Sequence, residues 1–330
     1  MCSLRSKSRI ISLFVLFPLL YLRNGNAEVV KVAMPSTTQA VLPFMIARDK
    51  GYYRAEGLDA ELILISAPIA SRALLSGDVA VATVGGAGLP PVLRGSPFKF
   101  LFTTYNRPMF WLYAKPEIRD VKGLQGRRIG VSGIGSGPDS LLREILRQNG
   151  LDANRDVTVL SLGVMPTIYA GLQSGTVDAA MLSPPVTFKA GEAGFRELVS
   201  FPKQDLVELQ GSILVRDGTL QSDPAQMERF LRGTYKAFLY IKENRTGTIP
   251  IVARYLQVNE SVAANAYDHV VRPAMTQDGT LSQEMQSKAV EHVLKRLDLK
   301  EAPPLGKIFD FSLTRKVIAE LQSKGWKPGP

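Results

Sequence analysis

One segment occurs twice in this chain in the same frame: Leu74-Leu75-Ser76-Gly77-Asp78-Val79-Ala80-Val81-Ala82 and Leu172-Gln173-Ser174-Gly175-Thr176-Val177-Asp178-Ala179-Ala180. Each copy reads as the end of a helix, a glycine turn and the start of a strand. Upstream of each lies a second shared triplet, Gly57-Leu58-Asp59 and Gly150-Leu151-Asp152, whose glycine suits the left-handed position that closes a helix. A common helix-to-strand turn would explain either match alone. The shared order of both favours one α/β plan used twice.

The flanking pattern agrees. Short apolar runs predict strands at 29–34, 60–65, 79–84 and 98–103, with amphipathic helices at 40–50, 68–76 and 87–94 between them. A second series follows, with strands at 128–132, 157–161, 177–182 and 195–199 and helices at 138–149, 166–174 and 184–191. Strands alternating with helices imply a mainly parallel sheet in each half. Beyond Phe201 the pattern changes: after one strand within 205–215, Asp223-Pro224 supplies an N-cap followed by proline at the first helical position, and the rest reads as helices. A tail this long is expected to pack on the first lobe, which makes that lobe discontinuous and requires two crossings, near 104–113 and 207–215. The expected division is 28–108 with 210–330 for the first lobe and 109–209 for the second.

The front end is different in kind. Arg5, Lys7 and Arg9 precede an apolar run, Ile10 to Leu22, that Pro18 interrupts and that is too short to cross a bilayer; Gly25 and Ala27 then place small residues before a cut. Basic, apolar and small-residue blocks in this order predict a secretory signal peptide over residues 1–27, cut near Ala27, and hence an extracytoplasmic protein. The single cysteine, Cys2, falls within it, so the mature chain has no thiol for a disulfide, a nucleophile or a zinc site. Losing Arg5, Lys7, Arg9 and Arg23 lowers the net charge from +10 to +6. The remaining Lys and Arg are scattered and do not form the runs with interleaved aromatics of a nucleic-acid binder.

In open α/β sheets the ligand crevice lies at the carboxyl ends of the parallel strands. The turns there are Pro35-Ser36-Thr37-Thr38-Gln39, Ser66-Ala67 and Gly85-Gly86-Ala87 in the first half, and Gly133-Ile134-Gly135-Ser136-Gly137, Gly163-Val164-Met165 and Ser183-Pro184-Pro185 in the second. Glycine admits close approach, hydroxyls donate and accept, and free helix-start amides favour anionic or strongly polar groups. Thr37, Thr38, Gln39, Gly85, Gly86, Ser136, Gly137, Met165, Ser183 and Pro184 are therefore candidate ligand contacts, although any one such turn is equally an ordinary N-cap. Around the first crossing, Tyr105-Asn106-Arg107-Pro108-Met109-Phe110-Trp111 adds Arg107 as a candidate carboxylate or sulfonate clamp and Trp111 as a candidate pocket wall, or else a hinge strand packed by aromatics.

No catalytic constellation accompanies these turns. The glycine spacing 133-135-137 is not the G-x-G-x-x-G of a dinucleotide site, and neither Asp152 nor Asp156 is placed as its ribose acid. A phosphate loop and a nucleophile elbow are absent from the sequence. His269 and His292 stand far apart and form no H-x-x-x-H pair, so they read as ordinary helix residues. Asp49, Glu56 and Asp78 read as caps or solvated charges. Neither metal nor cofactor is expected.

Ile46-Ala47-Arg48-Asp49-Lys50-Gly51-Tyr52-Tyr53-Arg54-Ala55-Glu56-Gly57-Leu58, Leu75-Ser76-Gly77-Asp78-Val79, Lys122-Gly123-Leu124-Gln125-Gly126-Arg127-Arg128-Ile129-Gly130-Val131 and Gly175-Thr176-Val177-Asp178-Ala179-Ala180 together resemble the solute-binding proteins of ABC importers, in the group for nitrate, sulfonates, taurine and thiamine-pyrimidine precursors. The resemblance spans about residues 29–245. It implies a type II periplasmic-binding fold: two α/β lobes joined by two crossover strands, closing on one small molecule and presenting it to a permease in the inner membrane. It also implies a periplasmic monomer that is not an enzyme, with the ligand held at Thr38-Gln39, Gly85-Gly86, Ser136-Gly137 and Ser183-Pro184. An organic anion is the expected ligand. Two other readings stay open: an enzyme of the same fold that makes the thiamine pyrimidine, and an extracytoplasmic sensor module.

Overall fold

The computed structural model describes residues 27–35 and 38–329; residues 1–26 of the expected leader, and the candidate contact Thr37, lie outside the described residues. Among the described residues, ten strands form two five-stranded sheets. In chain order they are β1 Glu28–Met34, β2 Leu58–Leu64, β3 Val81–Ala82, β4 Phe98–Tyr105, β5 Trp111–Ala114, β6 Arg128–Val131, β7 Thr158–Ser161, β8 Ala179–Leu182, β9 Arg196–Ser200 and β10 Gln210–Arg216. The first sheet has the order β2-β1-β3-β10-β4 and the second β7-β6-β8-β5-β9.

The two orders are the same plan with one exchange. In each sheet the fourth strand is antiparallel to both neighbours, and it comes from across the molecule: β5 follows β4 and pairs with β8 and β9, while β10 follows β9 and pairs with β3 and β4. The chain therefore crosses between the sheets twice, at 106–110 and at 201–209. The repeated sequence motif sits at equivalent places, entering β3 in one sheet and β8 in the other. Its two copies also bond alike: Gly77 and Gly175 are left-handed, at φ 87° and 75°, and the amides of Val79 and Val177 turn back to the carbonyls of Ala73 and Gly171 at 3.3 and 3.1 Å. Those back-bonds close the preceding helix, so each strand begins two residues later than its apolar run predicts.

Each sheet is buried on both faces. Alternation along β1 sends Val30, Val32 and Met34 into one apolar cluster and Ala33 into another; along β8, Ala179 and Met181 part in the same way from Ala180 and Leu182. The helices that cover them, numbered in chain order, include α1 Leu42–Asp49, α2 Ala67–Ser76, α3 Leu89–Leu93, α4 Gly137–Gln148, α5 Met165–Gln173 and α6 Val186–Glu192. From the tail come α7 Pro224–Glu243, α8 Arg245–Leu256, α9 Glu260–Ala266, α10 Gln283–Leu297 and α11 Ser312–Ser323. The tail packs on the first sheet. Phe230 of α7 lies between Phe44 and Tyr53, with ring centroids 6.5 and 4.8 Å away, and Ala289, Val290 and Val293 of α10 join the cluster of Leu89, Val92 and Phe100.

Candidate functional site

The turns that follow the parallel strands of both sheets meet at a cavity of about 340 Å³. From the first sheet it takes Ala67, Pro68 and Ser71 at the start of α2, and Gly86, Ala87, Pro90 and Arg94 around α3. From the second it takes Gly135, Gly137, Ser140 and Leu141. The crossing at 201–209 supplies Leu206, Val207, Glu208 and Leu209, and α10 supplies Ala289, His292, Val293 and Arg296. Mostly apolar walls with a few polar groups, at a volume of a few hundred Å³, are the usual character of a small-molecule site.

The charged groups have traceable environments. Burial lowers the pKa of His292 below the usual imidazole value despite the Glu144 carboxylate, and likewise lowers that of Arg296 despite Glu208. Glu208 is half-buried and lines the cavity. Burial raises the pKa of its carboxyl to about 7, against the opposing pulls of Gln210 Nε2, which donates to Oε2 at 3.1 Å, and of the Arg296 charge. Its other oxygen faces Gly137, where a β-carbon would stand 2.8 Å from Oε1.

The candidate residues divide into groups. Gly86 and Gly137 line the cavity, with Gly85 and Ser136 beside them. Two helix-start amides expected to be free are occupied: Gly86 N–H donates to Leu209 O at 2.7 Å, and Gly135 N–H to Asp139 Oδ2 at 2.8 Å. The Asp139 carboxylate also takes Arg143 Nε at 3.0 Å, which puts a negative group where a dinucleotide phosphate would have to sit.

Gln39 and Ser183 are buried at 2% and 0% exposure, and Gln39 Oε1, Ser183 Oγ and nearby Thr187 Oγ1 have no hydrogen-bond partner. Pro184 is buried beside them, while the backbone carbonyl of Thr38 accepts from the amide of Val41. Trp111 pairs with Leu182 across β5 and β8 and packs against core clusters of both sheets, as does Phe188 of α6 against the first. Three orphaned neutral oxygens therefore lie at or just after the strand-end turns of the two units, Gln39 in the first and Ser183 and Thr187 in the second, and buried groups of this kind ordinarily have partners.

Two candidates fall elsewhere. Met165 opens α5 and packs against the Ile168 and Val177 cluster without lining the cavity. Arg107 lines a separate pocket of about 400 Å³ with Pro108, Met109, Pro202 and His269. The first crossing is tied there by Asn106 N–H to Ala274 O at 3.1 Å, which holds Arg107 against the helical tail and away from the cavity.

Glu208, His292 and Arg296 were not among the candidates. His292 and Arg296 stand far from the strand turns in sequence and reach the cavity only because α10 packs on α3. Glu208 did carry a signal, as a single carboxylate in the apolar run Leu206-Val207-Glu208-Leu209. Among the described residues, no group of three or more His, Cys, Asp or Glu could hold a metal ion, and no helix is long and apolar enough to cross a membrane.

The sequence model of the family described as NMT1/THI5 like matches residues 38–246. A Bacillus subtilis (strain 168) protein named for binding aliphatic sulfonates is 26% identical over 326 residues, covering 92% of each chain. Among solved structures, the alkanesulfonate-binding protein SsuA from Xanthomonas axonopodis pv. citri, bound to MOPS, superposes with a TM-score of 0.65 at 19% identity, over 89% of this chain and 98% of that one. The periplasmic nitrate-binding protein NrtA from Synechocystis PCC 6803 superposes with a TM-score of 0.70 at 13% identity, over 90% and 89%. At such identities the superpositions establish the fold, that of the periplasmic binding proteins.

Proposed function

The chain belongs to the NMT1/THI5-like family, and from that membership we propose that it is an extracytoplasmic solute-binding protein. It captures a small organic anion, a sulfonate or a carboxylate, between its two units and delivers it to an ABC importer in the inner membrane. The observation that carries this reading is the cavity at the facing strand ends, walled by both sheets and by the second crossing. Arg94 and Arg296 outnumber Glu208 among its charged lining residues, which suits an anion. The B. subtilis relative and the X. axonopodis structure, both named for sulfonates, support the same class.

In this reading the movable bodies are 28–108 with 210–330, and 109–209. A solute touching Gly86 and Arg296 on one side and Gly137 and Ser140 on the other contacts both only when they are closed, so its differential affinity drives closure. Gln39, Ser183 and Trp111 form the inner end of the same site. Binding without turnover is favoured over catalysis because two curated relatives carry binding-protein names. The leader read in residues 1–27 supports export to the periplasm, and the protein is read as acting there as a monomer.

The test is thermal unfolding of residues 28–330 against alkane- and arenesulfonates, nitrate, aromatic carboxylates and pyrimidines. A ligand at about 100 times its Kd adds about 2.7 kcal/mol. A concentration-dependent rise in Tm for one anion class, with the compound recovered intact, is expected. Consumption of the compound would instead establish an enzyme, and a shift with pyrimidines alone would overturn the anion assignment.

A further inference from the structure

Glu208 sits awkwardly in a cleft that takes an anion. Its carboxyl lines the cavity, Gln210 Nε2 occupies Oε2 at 3.1 Å, and among the described residues Oε1 takes no side-chain donor and no ion pair. The main chain fixes it there: Glu208 N–H donates to Asn106 O at 3.2 Å, tying one crossing to the other, and Leu209 O holds Gly86 N–H. Oε1 faces Gly137 of the other unit, where a β-carbon would stand 2.8 Å from it. An ionised Glu208 would present a bare negative oxygen to an anionic solute in the same cavity, where like charges at close range repel.

We propose that Glu208 is protonated when the cleft is occupied and donates its O–H through Oε1 to an oxygen of the anionic solute, so that capture of the anion takes up a proton. The inference rests on the solute-binding reading above and adds a specificity element to it, a neutral acid that works as a hydrogen-bond donor. The proton comes from solvent and bonds to Oε1, and no covalent bond to the solute forms.

The groups around the cavity are compatible with this. Arg296 and His292 from α10 and Arg94 just after α3 line the same space, and none is within ion-pair distance of Glu208. Asp139 of α4 is already matched by Arg143. Burial, against the opposing pulls of Gln210 and Arg296, raises the pKa of the free carboxyl to about 7, and an anion placed against it raises its proton affinity further. At mildly alkaline pH the free protein is then ionised and the complex protonated. His292 is the other group that could exchange a proton, but burial holds it toward the neutral form.

Isothermal titration of the whole mature chain with butanesulfonate and with benzenesulfonate, at pH 8 in buffers of different ionisation heat, reads the proton directly. The expected result is uptake approaching about one proton per ligand, with affinity weakening up to about tenfold per pH unit above neutrality. Glu208→Gln keeps a neutral donor and should bind with buffer-independent heat and a flat pH profile, whereas His292→Gln should leave the uptake in place. A ¹³C-detected titration of the Glu208 carboxyl, with and without the sulfonate, needs no variant and should show its midpoint moving up on binding. Binding with buffer-independent heat in the unaltered protein, or uptake that survives in Glu208→Gln or disappears in His292→Gln, overturns the inference alone. Failure of both sulfonates to bind overturns the anion reading, and the inference with it.

Discussion

At Gly85 the backbone adopts φ 53°, and a β-carbon there would lie 2.3 Å from the carbonyl oxygen of Leu209. Only glycine meets both demands, because the left-handed region disfavours other residues and the second crossing passes too close. Gly85→Ala should therefore cost about 1–3 kcal/mol in urea denaturation and weaken solute binding as well, since the bond from Gly86 to Leu209 sets the cavity wall. A stable variant with normal affinity would show that the turn can relax. Arg107 gives the opposite prediction. Its local sequence, three aromatics and a guanidinium, suggested a ligand clamp, but the crossing holds it in another pocket. Arg107→Ala should change cleft affinity by no more than about 0.5 kcal/mol in a titration; a loss of a charged hydrogen bond, about 1.5–3 kcal/mol, would return Arg107 to the site. Glycine and hydroxyl turns were legible because backbone chemistry is local. The charged groups of the cavity were not, since nothing within the run of α10 tells which wall its His292 and Arg296 will reach.

Among the elements, α7 shows how packing overrides propensity. Gly233 lies in the middle of a twenty-residue helix, where alanine would be favoured by about 1 kcal/mol on helix propensity. Its missing β-carbon, however, is where Tyr53 sits: a methyl would come within 2.6 Å of the ring, which is 1% exposed, stacked on Phe230 and hydrogen-bonded to Thr234 Oγ1 at 2.8 Å. Overpacking a core costs about 1–3 kcal/mol, so Gly233→Ala should lower Tm on balance; a rise would mean that Tyr53 can move aside. In the second sheet, Asp178 joins three adjacent strands at one end, accepting from Lys115 Nζ after β5 at 2.7 Å and from Arg128 N–H at the start of β6 at 3.0 Å. Burial pushes its carboxyl up, but Lys115 and Arg128 outweigh it and hold the group well below the ordinary carboxylate range. A depressed carboxylate contributes stability above its unfolded pKa, about 3.9, and loses it as pH falls through the folded value. Asp178→Asn should cost about 1.5–3 kcal/mol at pH 7, and the gap to the unaltered protein should narrow steadily on acidification below about pH 4. A gap independent of pH would assign the loss to packing.

For the whole molecule, the regular strands and helices of both units were legible because hydrophobic period and glycine stops report on neighbouring residues. The exchange of β5 and β10 between sheets was legible only as two crossings. Trp111 to Ala114 is too short to announce an inserted antiparallel strand, whose stability comes from pairing with β8 and β9. That exchange has an energetic consequence. Each unit has core clusters of its own, those of the second being smaller and drawn from a single stretch of chain, so the second unit should open at lower free energy than the first. Native-state hydrogen exchange should then show Ala179–Leu182 of β8 exchanging through a cheaper sub-global opening than Ile213 to Val215 of β10. A bound solute changes the ranking in a diagnostic way. Because opening either unit destroys a site built from both, a ligand at about 100 times its Kd should raise the opening free energy of each unit by the same amount, about 2.7 kcal/mol. If the gain were confined to the amides of one unit, the solute would be bound by that unit alone, and closure of the two around it would not be the mechanism of capture.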